Sequence, residues 1–256
     1  MASNLNPPEW QFVGPAWPAS AAGMTGWDHP SVAAVMMSNF GAFIRVVGST
    51  EPLGIFPLAP QGRSESGHNI SMTFGYVLAR AAHGKETMSL LDWGGAIGHY
   101  AIMGQRLVPE VKLHVTVKER PELCAVGRKI LSWVTFEDSD EVCFARGYDL
   151  VLASTSMQYA EDWRAVFANL ARSTRQFLFV TRLAVVRTAP SFVVVQRPYA
   201  YGYQTEYLSW VINRDELLRE AAAAGLTLER EFIAGAAVAY QGAPESSESA
   251  GFLFKK

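Results

Sequence analysis

From Lys85 onward, short apolar runs alternate with helical stretches, and this alternation constrains the fold more than any other feature. The runs Ser89 to Trp93, Leu113 to Lys118, Trp133 to Phe136, Leu150 to Ser154 and Phe177 to Thr181 read as strands. Helical patterns separate most of them, including Pro121 to Leu131 and Asp162 to Arg172. Strand–helix alternation at this spacing implies βαβ units and a mostly parallel sheet covered on both faces. Leu226 to Ile233 and Gly251 to Lys256 are positioned to close the sheet as a final strand pair, with the polar stretch Gly242 to Ala250 as a loop between them. Ahead of that pair, a Tyr-rich stretch, Pro198 to Trp210, leads to a helix that Asn213 and Glu216 open as a capping box and Gly225 ends.

The first 84 residues have a different texture, rich in Pro, Gly, Met and aromatics, with no convincing strand pair. Val32 to Val47 reads as a helix started by Asp28 and Pro30, and His68 to Ala82 as an amphipathic helix. The loop between them, Gly48 to Gly67, holds three prolines and has the length of a lid or binding loop. The expected organisation is a helical lid over residues 1–84 and a catalytic domain over 85–256.

Composition limits the function classes. Over 256 residues, 49% are hydrophobic and 18% charged, and the formal net charge is -2. That balance carries no electrostatic footprint for nucleic acid or an anionic membrane, so a small-molecule partner is expected. No run approaches the roughly 20 apolar residues of a membrane helix, and the N-terminus lacks the pattern of a signal peptide, so a cytoplasmic location is expected. Cys124 and Cys143 fit no metal spacing and read as reduced thiols. The five histidines are dispersed, so no metal site is expected.

The turn after the first strand of the alternating region, Asp92-Trp93-Gly94-Gly95-Ala96-Ile97-Gly98, sits where open α/β sheets bind ligands. A dinucleotide fingerprint requires G-x-G-x-x-G, and aligning its last two glycines on Gly95 and Gly98 puts Trp93 at the first. Asp92 would also repel a pyrophosphate. A cationic, phosphate-free cofactor such as S-adenosylmethionine (SAM) suits this carboxylate instead. The pattern acidic-x-Gly-x-Gly-x-Gly matches at Asp92, Gly94 and Gly98, with Ala96 in place of the middle glycine and Gly95 beside it. Glu119 follows the second strand, 21 residues beyond Gly98, where a carboxylate can accept both ribose hydroxyls. Taken alone it reads equally as a solvated charge between Lys118 and Arg120, but its paired spacing with Asp92 favours the ribose reading.

The segments LLDWGGAIGHY, YDLVLASTSMQYAEDW, FLFVTR, FVVVQR and LSWVINRDELL resemble a bacterial family of class I SAM-dependent methyltransferases, over roughly 190 residues from His68. The resemblance implies a Rossmann-like fold with a seven-stranded, mostly parallel sheet, and SAM as cosubstrate. It implies cofactor contacts at Asp92, Gly94, Gly98 and Glu119, with Gly95 beside them, and places the polar rim Ser154 to Gln158, including Ser154, Ser156 and Gln158, near the sulfonium. It extends to enzymes of this fold that cyclise SAM to azetidine-2-carboxylate with loss of methylthioadenosine. Ala96 departs from the family pattern, where relatives tend to have glycine.

Methyl transfer depends on positioning, and a base is needed only when the acceptor loses a proton. His99 and His68 are the histidine candidates, each also readable as a packing or cap residue. Tyr159 and Tyr76 complete the catalytic candidates. Arg182 and Arg197 suit an acceptor carboxylate or are strand-end charges. Tyr201, Tyr207 and Trp210 suit a substrate pocket, and Trp17 and Trp27 suit a cover over a sulfonium. Three functions stay open: methyl transfer to a small acceptor, self-cyclisation of SAM, and SAM or nucleoside binding without turnover.

Overall fold

The computed structural model describes residues 7–19, 21, 24–54 and 64–256. In chain order, the elements begin with β1 (Trp10–Gly14), α1 (Pro30–Val47) and α2 (Glu65–Ala82). The alternating region runs β2 (Thr87–Trp93), α3 (His99–Leu107), β3 (Lys112–Lys118), α4 (Pro121–Ile130) and β4 (Thr135–Glu137). It continues with α5 (Asp140–Phe144), β5 (Tyr148–Ser154), α6 (Trp163–Ser173) and β6 (Thr174–Val186). The chain ends with β7 (Phe192–Gln196), β8 (Tyr207–Asn213), α7 (Arg214–Ala223), β9 (Thr227–Val238) and β10 (Ser247–Lys255).

Strands β4, β3, β2, β5 and β6 lie side by side and parallel, and β10 and β9 follow on β6, with β10 antiparallel to both. These seven strands form the expected sheet. The full sheet has ten, because β1, β7 and β8 add an antiparallel trio joined to the far end of β6. The seven-strand expectation is corrected in that respect. The central strands are apolar along their length because both faces are covered. Leu90, Leu150, Leu152, Phe177 and Phe179 point into one cluster with Phe74, Leu78 and Met103 of α2 and α3. Leu91, Val151, Leu178 and Val180 point the other way, against Phe167 and Leu170 of α6 and Leu217 of α7. This is the two-residue side-chain period of a strand, seen from both sides.

Several sequence expectations need correction at element ends. His29, not Asp28, caps α1, its Nδ1 accepting the Ser31 N–H at 3.2 Å. Helix α2 starts at Glu65, with Ser64 as its cap, so residues expected in the loop are helical. Residues 55–63 of that loop lie outside the described residues. The end of the Tyr-rich stretch is strand β8, all seven of whose residues are buried. β10 begins at Ser247, inside the stretch expected to be a loop. The N-terminal region, expected to hold no strand pair of its own, supplies β1, which pairs with the distant β7. The capping box of α7 is present, Asn213 Oδ1 accepting the Glu216 N–H at 3.0 Å.

Helix α1, with 18 residues, is long and apolar enough to cross a membrane by length and composition, contrary to the expectation that no segment is. Its composition has a packing reason. Val32 and Met36 pack against Ala96, Ile97 and Leu123, while Phe43 and Val47 enter the cluster under α2 and α3.

Candidate functional site

Strand β2 carries Asp92 to the carboxyl end of the sheet, where it is 1% exposed. Neither carboxylate oxygen has a hydrogen-bond partner. Burial, reinforced by the neighbouring Glu119 charge, pushes its carboxyl up to about 8. The chain then turns back through Gly94 at φ 73 and enters α3 from Gly98 at φ 93. A Cβ on Gly94 would overlap Ser156, and one on Gly95 would overlap the Asp92 carboxylate. The turn thus lies directly on β5 and on its own strand end, and only glycine fits at these two places.

Ala96 adopts φ 53, a left-handed conformation that glycine tolerates and alanine resists by about 1–2 kcal/mol. Its N–H donates to Glu119 Oε2 at 3.0 Å, and the Arg120 N–H donates to Oε1 at 2.8 Å. Glu119 therefore ties the β2 turn to the end of β3. Each oxygen takes one backbone bond and keeps a further lone pair. Burial raises the Glu119 carboxyl, and the two backbone donors with Lys118 and Arg120 oppose that rise.

A cavity of about 290 Å³ opens beside the turn, bounded by Gly94, Ala96, Glu119 and the β5 rim. Trp27 and Tyr159 form its aromatic wall. Trp27 stacks on Tyr207 with centroids 4.4 Å apart and meets Tyr159 edge-on at 5.0 Å. The next residue, Asp28, pairs with Arg120, clamping this segment to the residue after Glu119. On the opposite side, Trp93 Nε1 donates to Asp140 Oδ1 at 2.7 Å, and Asp140 pairs with Lys118 at 3.1 Å.

The β5 rim is built by hydroxyls. Ser156 Oγ donates to the Trp93 carbonyl at 2.8 Å, and Ser154 Oγ lies 2.8 Å from the Tyr100 hydroxyl. Thr155, at φ 52, leaves its buried Oγ1 without a partner. Among the described residues, the only non-glycine positions at positive φ are Ala96, Thr155 and Arg182. All three lie at or beyond the carboxyl-end pairing of β2, β5 and β6. Strained backbone of this kind clusters at active sites and ligand clamps.

Gly94, Glu119, Ser154, Ser156 and Tyr159 line the cavity, with Tyr207 behind Trp27, whereas Asp92 and Gly95 are buried in the same turn outside the lining and Gly98 faces Leu131 and Phe136. Others of the expected residues fall elsewhere. His99 is buried edge-on to Phe40 and Phe43 at 5.8 and 5.1 Å, and burial lowers it to about 3. It stays neutral and is too weak a base to take a proton near pH 7, which corrects its reading as a general base. Tyr76 is exposed and packs on Phe232 of β9, away from the turn. Trp210 is a packing residue, donating through Nε1 to the Glu161 carbonyl at 3.0 Å and facing Trp17 at 6.1 Å. Trp17 thus covers Trp210 rather than the turn. Gln158 is buried outside the cavity lining, and Tyr201 packs into the cluster under α1. His68 Nδ1 donates to the Leu53 carbonyl at 3.0 Å, a tie for the preceding loop. Arg197 pairs with Glu206 at 3.1 Å, as a strand-end charge does. Sequence reasoning missed Tyr100 and the Asp28–Arg120 clamp. Only the position of Tyr100 in the first turn of α3 hinted at its role, since helical side chains there point back toward the N-terminus.

No protein-family model matches the chain, and no curated protein sequence matches it. Solved structures do. A protein described as a sarcosine dimethylglycine methyltransferase from Galdieria sulphuraria is 13% identical, with a TM-score of 0.54 over 86% of this chain and 98% of its own. The [4+2]-cyclase SpnF is 14% identical, with a TM-score of 0.51 over 91% and 98% of the two chains. A protein of Listeria monocytogenes described as an S-adenosylmethionine-dependent methyltransferase is 10% identical, with a TM-score of 0.50 over 73% and 99%. The chain has the class I methyltransferase fold, an α/β Rossmann-like architecture whose strand ends carry this cavity.

Proposed function

We propose that the chain is a SAM-dependent enzyme that methylates a small acceptor. The observation that carries this reading is a buried carboxylate, Asp92, and a half-buried one, Glu119, at adjacent strand ends. Asp92 has two oxygens without partners, and Glu119 has one oxygen lone pair left on each side. An orphaned, buried carboxyl calls for a cation, and a carboxylate with two remaining acceptor sites suits a vicinal diol. SAM offers an ammonium and a ribose with that spacing, so the residues present fit it. When bound, it supplies a methyl group activated by a sulfonium.

The chain's own groups then have defined tasks. Asp92 accepts from the ammonium, and Glu119 holds the ribose hydroxyls. The Gly94 and Gly95 backbone allows close approach. Trp27 and Tyr159 exclude water and offer aromatic faces to a sulfonium, an attraction of about 0.5–2 kcal/mol each. The N-terminal segment carrying Trp27 acts as the lid, over a SAM-binding domain comprising the alternating region. Because His99 and Tyr76 do not reach the cavity, positioning carries the chemistry. The narrow cavity supports a small-molecule acceptor rather than nucleic acid or a membrane surface.

Calorimetric titration with SAM and S-adenosylhomocysteine tests the reading, and binding of neither overturns it. Incubation with SAM alone then separates the activities. Stable SAM supports methyl transfer, whereas release of methylthioadenosine without an acceptor refutes it in favour of cyclisation to azetidine-2-carboxylate. Bound SAM that yields no product with any metabolite extract would instead mark a binding protein.

A further inference from the structure

Strand β6 changes partners in its second half. It pairs with β5 as far as Ser154 opposite Thr181, and parallel pairing resumes with β8 only at Val185 opposite Ile212. On its other edge the register with β10 shifts between Ala250 and Phe252, which face Leu183 and Val180. The intervening Thr181 and Arg182 form a bulge, and Arg182 sits at φ 55. A bulge beside a ligand site re-aims a side chain, and a bulky residue at positive φ persists only where the surroundings enforce it.

The Arg182 guanidinium hydrogen-bonds the Tyr100 hydroxyl, which also meets Ser154 on the cavity wall. Its charge also acts on Tyr159 and Tyr203, against the rise that burial imposes on both. Buried polar atoms without a partner occur on these and neighbouring residues: the Tyr203 hydroxyl, the Tyr207 hydroxyl, Nε1 of Trp27, which stacks on Tyr207, and Oγ1 of Thr155, whose backbone N–H donates to the Thr181 carbonyl. The rings converge, with Tyr207 6.4 Å from Tyr203 and 5.8 Å from Tyr159. The site is thus divided by charge. Asp92 and Glu119 supply acceptors at the turn, and Arg182 with neutral donors supplies the reverse at the β6 bulge. Buried donors without acceptors are costly unless a ligand brings them. A planar guanidinium flanked by single hydroxyls suits a planar, two-oxygen anion.

We propose that Arg182, with the hydroxyls of Tyr203 and Tyr207, forms a carboxylate-binding subsite next to the turn. It rests on the SAM reading above. The carboxylate belongs either to the methionine part of SAM or to the acceptor, and titration distinguishes the two. S-adenosylhomocysteine and 5′-methylthioadenosine, which lacks the amino acid, are titrated into the wild type, Arg182→Met and Tyr203→Phe. If the carboxylate is the cofactor's, Arg182→Met weakens S-adenosylhomocysteine about 10- to 100-fold and leaves methylthioadenosine unchanged. Tyr203→Phe, which keeps the ring and its packing, weakens it about 3- to 10-fold. If it is the acceptor's, both nucleosides bind the variants as they bind the wild type. Protein loaded with S-adenosylhomocysteine is then stabilised against heat by benzoate and hydroxybenzoates more than by the matching amides, and Arg182→Met abolishes that preference. Unchanged nucleoside affinities together with no carboxylate preference, or one that survives in Arg182→Met, overturn the subsite while leaving the SAM reading intact. Failure of the wild type to bind either SAM or S-adenosylhomocysteine overturns both.

Discussion

Replacing Asp92 by asparagine is expected to stabilise the ligand-free protein as pH rises, while weakening its binding of SAM. In the folded chain the Asp92 carboxyl is pushed up to about 8 by burial and by Glu119, against 3.8 when free. Between those values the folded chain holds a proton that the unfolded chain has lost. The contribution to stability is therefore complete below 3.8 and declines as pH rises toward 8, by up to about 1.4 kcal/mol per pH unit. Across the window the ceiling is on the order of 5 kcal/mol, and a change of only 1 kcal/mol moves Tm by about 2–4 °C in a chain of this size. Asparagine is neutral throughout, so the Tm difference between Asp92→Asn and wild type should be small near pH 4 and grow steadily to pH 8. Ligand binding supplies the second readout. A cation arriving at Asp92 favours its ionised form, so at pH 6.5 SAM binding should release close to one proton. Calorimetry in phosphate and in Tris buffers, which differ in ionisation enthalpy, measures that release. Parallel Tm–pH curves for the two proteins, with a binding enthalpy independent of buffer, would refute the assignment of Asp92 as a proton-bearing cation site.

Glu119→Gln removes the charge proposed to accept from the ribose and one of the two backbone bonds that Glu119 accepts. SAM affinity is expected to fall about 10- to 100-fold by calorimetry, and a change within threefold would count against Glu119 as the diol acceptor. Ala96→Gly relieves the left-handed strain but adds chain entropy to the unfolded state, so Tm is expected to hold or rise slightly, by about 1–3 °C. A clear fall in Tm would show that the φ 53 conformation is not strained. Both cysteines are buried, and burial pushes their thiols up to about 11, so neither should react with a thiol reagent at pH 7.5 in the folded protein. Both should react after unfolding in guanidinium, and fast labelling of the native chain would disprove the burial.

The sequence alone determined the parallel core of the sheet and the turn, because both rest on local patterns. Apolar runs of strand length, alternating with amphipathic helices, leave few arrangements other than a doubly covered parallel sheet. The glycines of the turn are legible because Gly94 and Gly95 lie where any side chain would collide with Ser156 or Asp92. Strand β8 was hidden because Tyr207 and Trp210 read as a ligand-facing surface, whereas the antiparallel trio buries them as a sheet. His99 and Tyr76 were misplaced for a related reason. Adjacency to a motif says nothing about side-chain direction, and α1 and β9, distant in sequence, cover those two rings instead. Only the tertiary structure decided which polar groups lack partners. The orphaned Asp92 carboxylate, the hydroxyls of Tyr203 and Tyr207, and the bulge that turns Arg182 toward Tyr100 arise where strands and the N-terminal segment meet. Partnership across such junctions is a property of three-dimensional packing, and no period or spacing along the chain encodes it.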